Sequence, residues 1–254
     1  MHSRQPTLPW LETGDAFPAP SAAWGPDTDA PGLLAAGGDL RVSTLTRAYA
    51  QGIFPWYSEG QPILWWSTHP RMVLHTREFR LHTSLKKVIR KFRHAPGYEI
   101  RVDTRFSDVM SQCATLPREG QSGTWIQTEM QEAYIQLHRS GYAHSIETWH
   151  NGSLIGGLYF VSIGHAVFGE SMFTRKTDAS KIALAALVGM LAAQGVAWVD
   201  CQQVTAHLAF MGARPVPRDT FANYLHSSVH QPALQWEFKP LYWDALESAC
   251  TNRP

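Results

Sequence analysis

Hydrophobic and polar positions change period along this chain, and each change predicts a different element. Leu85, Val88, Ile89 and Phe92 fall at i, i+3, i+4 and i+7, the stripe of an amphipathic helix. Lys86, Lys87, Arg90, Lys91 and Arg93 occupy the opposite arc. The same spacing recurs at Phe106, Val109, Met110 and Cys113, predicting a helix over roughly 104–115. It recurs again at Met130, Ala133, Tyr134 and Leu137, predicting one over roughly 127–139 with Gly141 as its stop. The period then drops to two. His144 to Trp149 reads as a strand, Asn151-Gly152 as a tight hairpin turn and Leu154 to Val161 as the return strand, with His165 to Gly169 following. The glycine pair Gly156-Gly157 inside a strand predicts a bulge or a close approach by a ligand. A helix from about Ala179 to Gln194 carries Leu184, Leu187 and Leu191 on one face and ends at Gly195. A strand over 196–202 and short helices near 205–211 and 218–227 complete the pattern.

The first part of the chain is less regular. Residues 1–36 are rich in Pro, Gly, Ala and Asp and predict irregular structure ordered by Trp10, Phe17 and Trp24. Gly37-Gly38-Asp39-Leu40 reads as a turn, and Ser43 as the cap of a short helix bearing Leu45, Ala48 and Tyr49. Two aromatic segments follow, Gly52 to Tyr57 and Ile63 to Ser67, on either side of a Glu-Gly turn. A boundary near residue 70 is expected, with a small N-terminal domain at 1–70 and a larger domain at 71–254. Helices, a β-meander, a helix, a strand and more helices make the larger part an α+β fold around a mostly antiparallel sheet.

Composition narrows the function without naming it. At 254 residues the chain is long enough for a sizeable core. Lys plus Arg, 22, nearly balances Asp plus Glu, 21, so a nucleic-acid site must be a local patch. Such a patch exists on the first helix. Seven basic residues stand between Arg77 and Arg93 against one acid, Glu78. It reads either as a phosphate-backbone surface or as a solvated helix face. The 3 cysteines form no C-x-x-C pair, and the His residues form no H-E-x-x-H, so no metal is expected. The absent G-x-x-x-x-G-K-[ST] and G-x-G-x-x-G patterns argue against a nucleotide site, and no cofactor is expected. No segment approaches the ~18 apolar residues of a membrane span, and the N-terminus lacks the apolar run of a signal peptide. A cytoplasmic protein with no membrane partner is the expectation.

Candidate chemistry gathers between Phe168 and Gln202. On an extended strand Asp200 and Gln202 share a face and Cys201 points away, so a carboxylate stands where it can orient an amide. The alternative is a strand end that caps the next helix. Glu170 is either a polar group of the same cleft or a strand-end residue. Cys201 is expected to be packed rather than nucleophilic. Trp56, Trp65, Trp66 and Trp125 either stack on a base, wall an apolar pocket or belong to the core.

Ten segments in order resemble the leucyl/phenylalanyl-tRNA–protein transferase family. They are G-L-L-A-x-G-G-D-L at Gly32–Leu40, G-I-F-P-W-Y at Gly52–Tyr57, I-L-W-W-S at Ile63–Ser67, G-T-W-I at Gly123–Ile126 and A-H-S-I-E at Ala143–Glu147. After them come G-G-L-Y at Gly156–Tyr159, F-G-E-S-M-F at Phe168–Phe173, A-S-K at Ala179–Lys181, D-C-Q at Asp200–Gln202 and G-A-x-x-V-P-R at Gly212–Arg218. The resemblance implies a small N-terminal domain plus a GNAT-like acyltransferase domain. It implies an enzyme that moves Leu or Phe, with Met a further candidate, from aminoacyl-tRNA to the N-terminal amine of proteins beginning with Arg or Lys. Proteins so modified enter N-degron degradation.

Carried onto this chain, the resemblance makes Asp200 and Gln202 the catalytic pair, with Glu170 in the same cleft. Trp56 and Trp125 become aromatics around the aminoacyl-adenosine end. Leu158, Val167, Leu184, Leu187, Leu191 and Val199 become the apolar side-chain pocket. Lys86, Lys87, Arg90 and Lys91 become the tRNA acceptor-stem patch. Leu158 stands where the family usually has Met, and Leu187 and Leu191 where Phe is often found, so the pocket stays apolar with a changed shape. Two rivals have different requirements. An acetyl-CoA-dependent acetyltransferase needs a glycine-containing pyrophosphate loop, and S-M-F-T-R-K-T-D-A-S-K at 171–181 has no glycine. A non-catalytic RNA-binding protein has no use for Asp200, Gln202 and an apolar pocket.

Overall fold

The computed structural model describes residues 7–115 and 126–251. The α+β class expected from the sequence is the one observed. A four-stranded sheet has the order β1-β2-β4-β3, built from β1 (Trp10–Leu11), β2 (Leu33–Gly37), β3 (Phe54–Pro55) and β4 (Leu64–Trp66). A seven-stranded sheet has the order β11-β5-β10-β9-β8-β7-β6. Its strands are β5 (Arg71–His75), β6 (Tyr98–Val102), β7 (Ala143–His150), β8 (Ser153–Ile163), β9 (Ala166–Thr174), β10 (Trp198–Gln202) and β11 (Arg214–Val216). All its neighbours are antiparallel except β9 and β10.

The sequence pattern understates the strands. Leu33–Gly37 falls within a stretch expected to be irregular and a turn, yet it is a buried strand. Leu-Leu-Ala-Ala-Gly has neither alternation nor high β-propensity, and pairing with β1 and β4 makes it extended. The short helix α1 (Val42–Tyr49) also begins one residue before the expected Ser43 cap. Arg41 is the N-cap and makes no side-chain cap bond, and Asp39 braces the turn before the helix, accepting from the Arg41 backbone N–H at 2.9 Å and the Thr44 hydroxyl at 2.6 Å.

The helices follow their stripes. On α2 (Thr83–His94), Leu85, Ile89 and Phe92 are buried and the lysines are exposed. The faces of α3 (Phe106–Thr115) and α4 (Thr128–Arg139) are buried as their spacing predicts. In α5 (Ala179–Ala193) apolar residues run all the way round, which suits a helix covered on both sides. One side lies on the large sheet. The other meets α8 (Tyr242–Thr251), so closely that a Cβ on Gly189 would stand 2.3 Å from the Tyr242 carbonyl oxygen. Two smaller helices, α6 (Ala206–Phe210) and α7 (Arg218–Ser228), flank β11.

Two apolar clusters lie on opposite faces of the large sheet. One joins Val73, Tyr159, Val161 and Phe168 to α1, α3, α4, α7 and the small sheet. The other joins Met72, Leu158, Phe160, Val167 and Val199 to α2, α5 and α8. Asn151 and Gly152 both have positive φ, 48° and 72°, the two-residue hairpin turn expected. The bulge expected near Gly156-Gly157 is real, because the β7–β8 register skips between Thr148 and Trp149. The close approach there is by protein, since a Cβ on Gly156 would meet the Ala179 Cβ at 2.5 Å. No helix among the described residues is long and apolar enough to cross a membrane.

Candidate active site

The parallel pair β9–β10 is two residues long, Val199 opposite Val167 and Asp200 opposite Phe168. Immediately beyond it each strand carries an extra residue. On β9, Tyr159 faces Ser171 and Phe160 faces Gly169, which leaves Glu170 as a bulge. On β10, Asp200 faces Val73 and Gln202 faces Met72, which leaves Cys201 as a bulge. Bulges re-aim side chains and end pairing, and here two of them stand where neighbouring strands part.

This changes the expected geometry of Asp200 and Gln202. Their β5 partners, Val73 and Met72, pack on opposite faces of the sheet, so the two residues do not share a face. The cause is Cys201, which breaks the two-residue alternation, with Gln202 in the left-handed region at φ 54°. Asp200 does not bind the Gln202 side-chain amide either. Its Oδ1 accepts the Gln202 backbone N–H at 2.9 Å, and Gln202 Nε2 is buried with no partner among the described residues.

The partner of Asp200 is Arg71. Oδ1 accepts from Arg71 Nε at 2.8 Å and Oδ2 from Nη2 at 2.6 Å, and both residues are at most 2% exposed. The guanidinium carbon lies 4.9 Å from the ring centres of Phe54 and Phe221. The carboxylate takes Nε and Nη2 and the two aromatic faces cover the cation, while Nη1 is buried without a hydrogen-bond partner among the described residues.

Glu170 is partly buried and shared by two tyrosines. Its Oε1 lies 2.7 Å from the Tyr49 hydroxyl and its Oε2 3.4 Å from the Tyr134 hydroxyl, and the two hydroxyls are also in contact with each other. Burial pushes the Glu170 carboxyl up to about 8, with Asp200's charge adding to the rise and the Tyr49 bond opposing it. Burial also pushes both tyrosines well above the usual phenol range. Burial raises the Cys201 thiol likewise, so it is no ready nucleophile, as its expected packing role implies.

The other predicted residues divide into three sets. Leu158, Val167, Leu184, Leu187, Leu191 and Val199 come together in the apolar cluster between α5 and the sheet. Trp56 lies on the opposite side, with the cluster that holds Tyr49, Phe54 and Phe168, and its ring stands 5.4 Å from that of Trp66. Trp65 is fully buried and donates to the Gly37 carbonyl at 2.9 Å, so it is a core residue. Trp125 lies outside the described residues. Lys86, Lys87, Arg90 and Lys91 are exposed on α2 without an ion-pair partner among the described residues.

Three functional candidates escaped the sequence reading. Arg71 looked like part of a boundary, although a charged residue opening the apolar run Met72-Val73-Leu74 was a signal. Tyr49 and Tyr134 looked like members of apolar stripes, but a buried phenol needs a hydrogen-bond partner. The fold also brings together Asp103, His138 and His144, whose donor atoms lie within 4.8 Å of one another although the sequence showed no such cluster. Each already has a protein partner. His144 Nδ1 meets Asp103 Oδ2 at 2.7 Å, Ser145 N–H donates to Asp103 Oδ1 at 2.7 Å, and His138 Nδ1 meets the Ala143 carbonyl at 2.8 Å.

The family model described as leucyl/phenylalanyl-tRNA protein transferase matches residues 73–226, and the model of its N-terminal domain matches residues 38–69. The chain belongs to this family. Its resemblance in ten segments is thus a family relationship, and family members are transferase enzymes. A leucyl/phenylalanyl-tRNA–protein transferase of Albidiferax ferrireducens is 56% identical over 246 residues, covering 97% of both chains. One of Leptothrix cholodnii is 55% identical over 251 residues, covering 97% of this chain and 98% of its own. Among solved structures, L-PGS from Bacillus licheniformis overlaps 67% of this chain and 53% of its own, at 14% identity and a TM-score of 0.38.

Proposed function

We propose that this member of the transferase family moves Leu or Phe from aminoacyl-tRNA to the free α-amine of proteins that begin with Arg or Lys. The Asp200–Arg71 pair beside Glu170, where β9 and β10 part, is the observation that supports this reading. A splayed strand pair suits the GNAT-like arrangement that the resemblance implies. The reaction forms a C–N bond and breaks the ester C–O bond, and the ribose oxygen leaves with the proton given up by the amine.

The ester is already activated, and an α-amine has a reference pKa of about 8, so the site needs placement more than a strong base. Asp200, clamped by Arg71, fixes the Gln202 backbone through its N–H. Gln202 then holds its side-chain oxygen toward the attacking amine, where it accepts an N–H. Glu170 receives the acceptor's basic side chain. A carboxyl poised near 8 ionises when a cation arrives, which couples its charge to acceptor binding. Leu158, Val167, Leu184, Leu187, Leu191 and Val199 take the apolar side chain of the donor. Such a wall discriminates by only about 1–3 kcal/mol per methylene, so Leu, Phe and Met all fall within its range. Trp56 and Trp125 flank the adenosine end, and Lys86, Lys87, Arg90 and Lys91 hold the acceptor stem. The working place is the cytoplasm, and the modified protein goes to N-degron degradation.

The test is incubation with charged Phe-tRNA or Leu-tRNA and two peptides, one beginning with Arg and one with acetylated Arg. Addition of one residue to the free-amine peptide alone is expected. Tight tRNA binding without transfer would instead favour a non-catalytic RNA-binding protein.

A further inference from the structure

The catalytic strand β10 runs directly into α6, and α6 presents a side chain that the transfer reaction as described does not use. Phe210, at its last position, is 55% exposed, and Val204, between strand and helix, is 56% exposed. Large apolar side chains that open belong to few positions among the described residues. The Phe210 ring stacks on the His82 ring with centroids 4.2 Å apart and planes at 16°. His82 Nε2 also lies 3.1 Å from the Phe210 carbonyl oxygen.

His82 ties this pair to the basic helix. It is the residue just before α2, and the Lys86 N–H donates to its carbonyl at 2.9 Å. Residues four apart on a helix lie one above the other, so Lys86 and Arg90 share one strip, which starts just after His82. Residues 79–98 and 201–218 contain no Asp or Glu, and the acids that reach them, Glu78, Asp244 and Glu247, are ion-paired with Arg214 and Arg93. An exposed aromatic surface beside a cationic helix is complementary to single-stranded nucleic acid. Bases stack on such rings whatever their sequence, while neighbouring cations take the phosphates.

We infer that the His82–Phe210 pair is a stacking platform for the unpaired 3′ end of the donor RNA, placed between the α2 strip and the cleft. This rests on the proposed transfer from aminoacyl-tRNA. Phosphates of the duplex stem lie on Lys86 and Arg90, and the chain of unpaired nucleotides crosses Phe210 on its way to Gln202.

The experiment uses the full chain and a tRNA with 2-aminopurine in its unpaired 3′ end, whose fluorescence falls on stacking. Phe210→Ala, Phe210→Tyr and the unchanged protein are compared, with a blunt acceptor-stem duplex as second ligand. Phe210→Ala is expected to abolish the fluorescence change and to weaken tRNA binding by about tenfold. Affinity for the blunt duplex and the thermal midpoint should stay the same, and Phe210→Tyr should restore both signals. Equal quenching and affinity in Phe210→Ala would overturn the platform, as would equal weakening for the blunt duplex. A wild-type chain that binds no tRNA at all would overturn the platform and the functional reading together.

Discussion

Arg71 and Asp200, 129 residues apart in the chain, meet through two hydrogen bonds inside the protein, and neither reaches solvent. Each charge is tolerable there only because of the other. The arrangement also fixes the strand from which Gln202 projects, so its consequences extend to stability and, under the proposed function, to transfer.

Arg71→Met should therefore be costly. Removing one member of a buried pair leaves the other charge uncompensated, at about 3–5 kcal/mol. Arg71→Met with Asp200→Asn should recover much of that loss, because no unpaired charge remains. Denaturant unfolding of the two variants checks this. A single variant as stable as the parent would mean that Asp200 finds another partner.

Glu170 makes stability depend on pH. Its folded carboxyl titrates at about 8 against an ordinary value of 4.5. Between those values the unfolded chain has lost the proton that the folded chain keeps, so stability falls as pH rises. It should be highest below 4.5 as far as this group is concerned, decline through neutral pH and level off above 8. Glu170→Gln cannot ionise and should remove this part of the decline. Thermal unfolding of both proteins across that window, compared at each pH, gives the answer.

Gly156 should not accept a side chain. A Cβ there would stand 2.5 Å from the Ala179 Cβ and 3.0 Å from backbone atoms of the first turn of α5. Gly156→Ala should cost about 1–3 kcal/mol by pushing that turn off the sheet. Neutral behaviour in chemical unfolding would mean that α5 shifts freely along β8.

The α2 cations should act on binding alone. Replacing Lys86, Lys87, Arg90 and Lys91 by Ala removes exposed side chains, and surface changes of this kind typically stay within about 0.5 kcal/mol each. The slope of log affinity for tRNA against log salt should become shallower, by about 0.9 for every duplex phosphate that the variant leaves unneutralised. An unchanged slope would remove these residues from the RNA surface.

The helices were legible because their burial is written at a fixed spacing, as on α2, α3 and α4. The strands β2, β5 and β6 were not, because what makes Leu33–Gly37 extended is its neighbours rather than its own residues. The candidate site was half legible. Asp200, Gln202 and Glu170 were singled out, but regular alternation gave the wrong relation between Asp200 and Gln202, since a bulge leaves no mark on local pattern. Arg71, Tyr49 and Tyr134 stayed hidden for a related reason. Their polar ends find partners far along the chain, and spacing along one element carries no record of that.

The bulges at Glu170 and Cys201 make the opening a matter of counting. Each strand holds one residue more than its outer neighbour can match, and the surplus follows the last parallel pair on both, Cys201 one residue beyond Asp200 and Glu170 two beyond Phe168. A deletion of one residue in either strand would let the ladder run on in register, whatever the identities of the residues kept. The cleft is thus insensitive to many substitutions around it and vulnerable to the loss of a single codon.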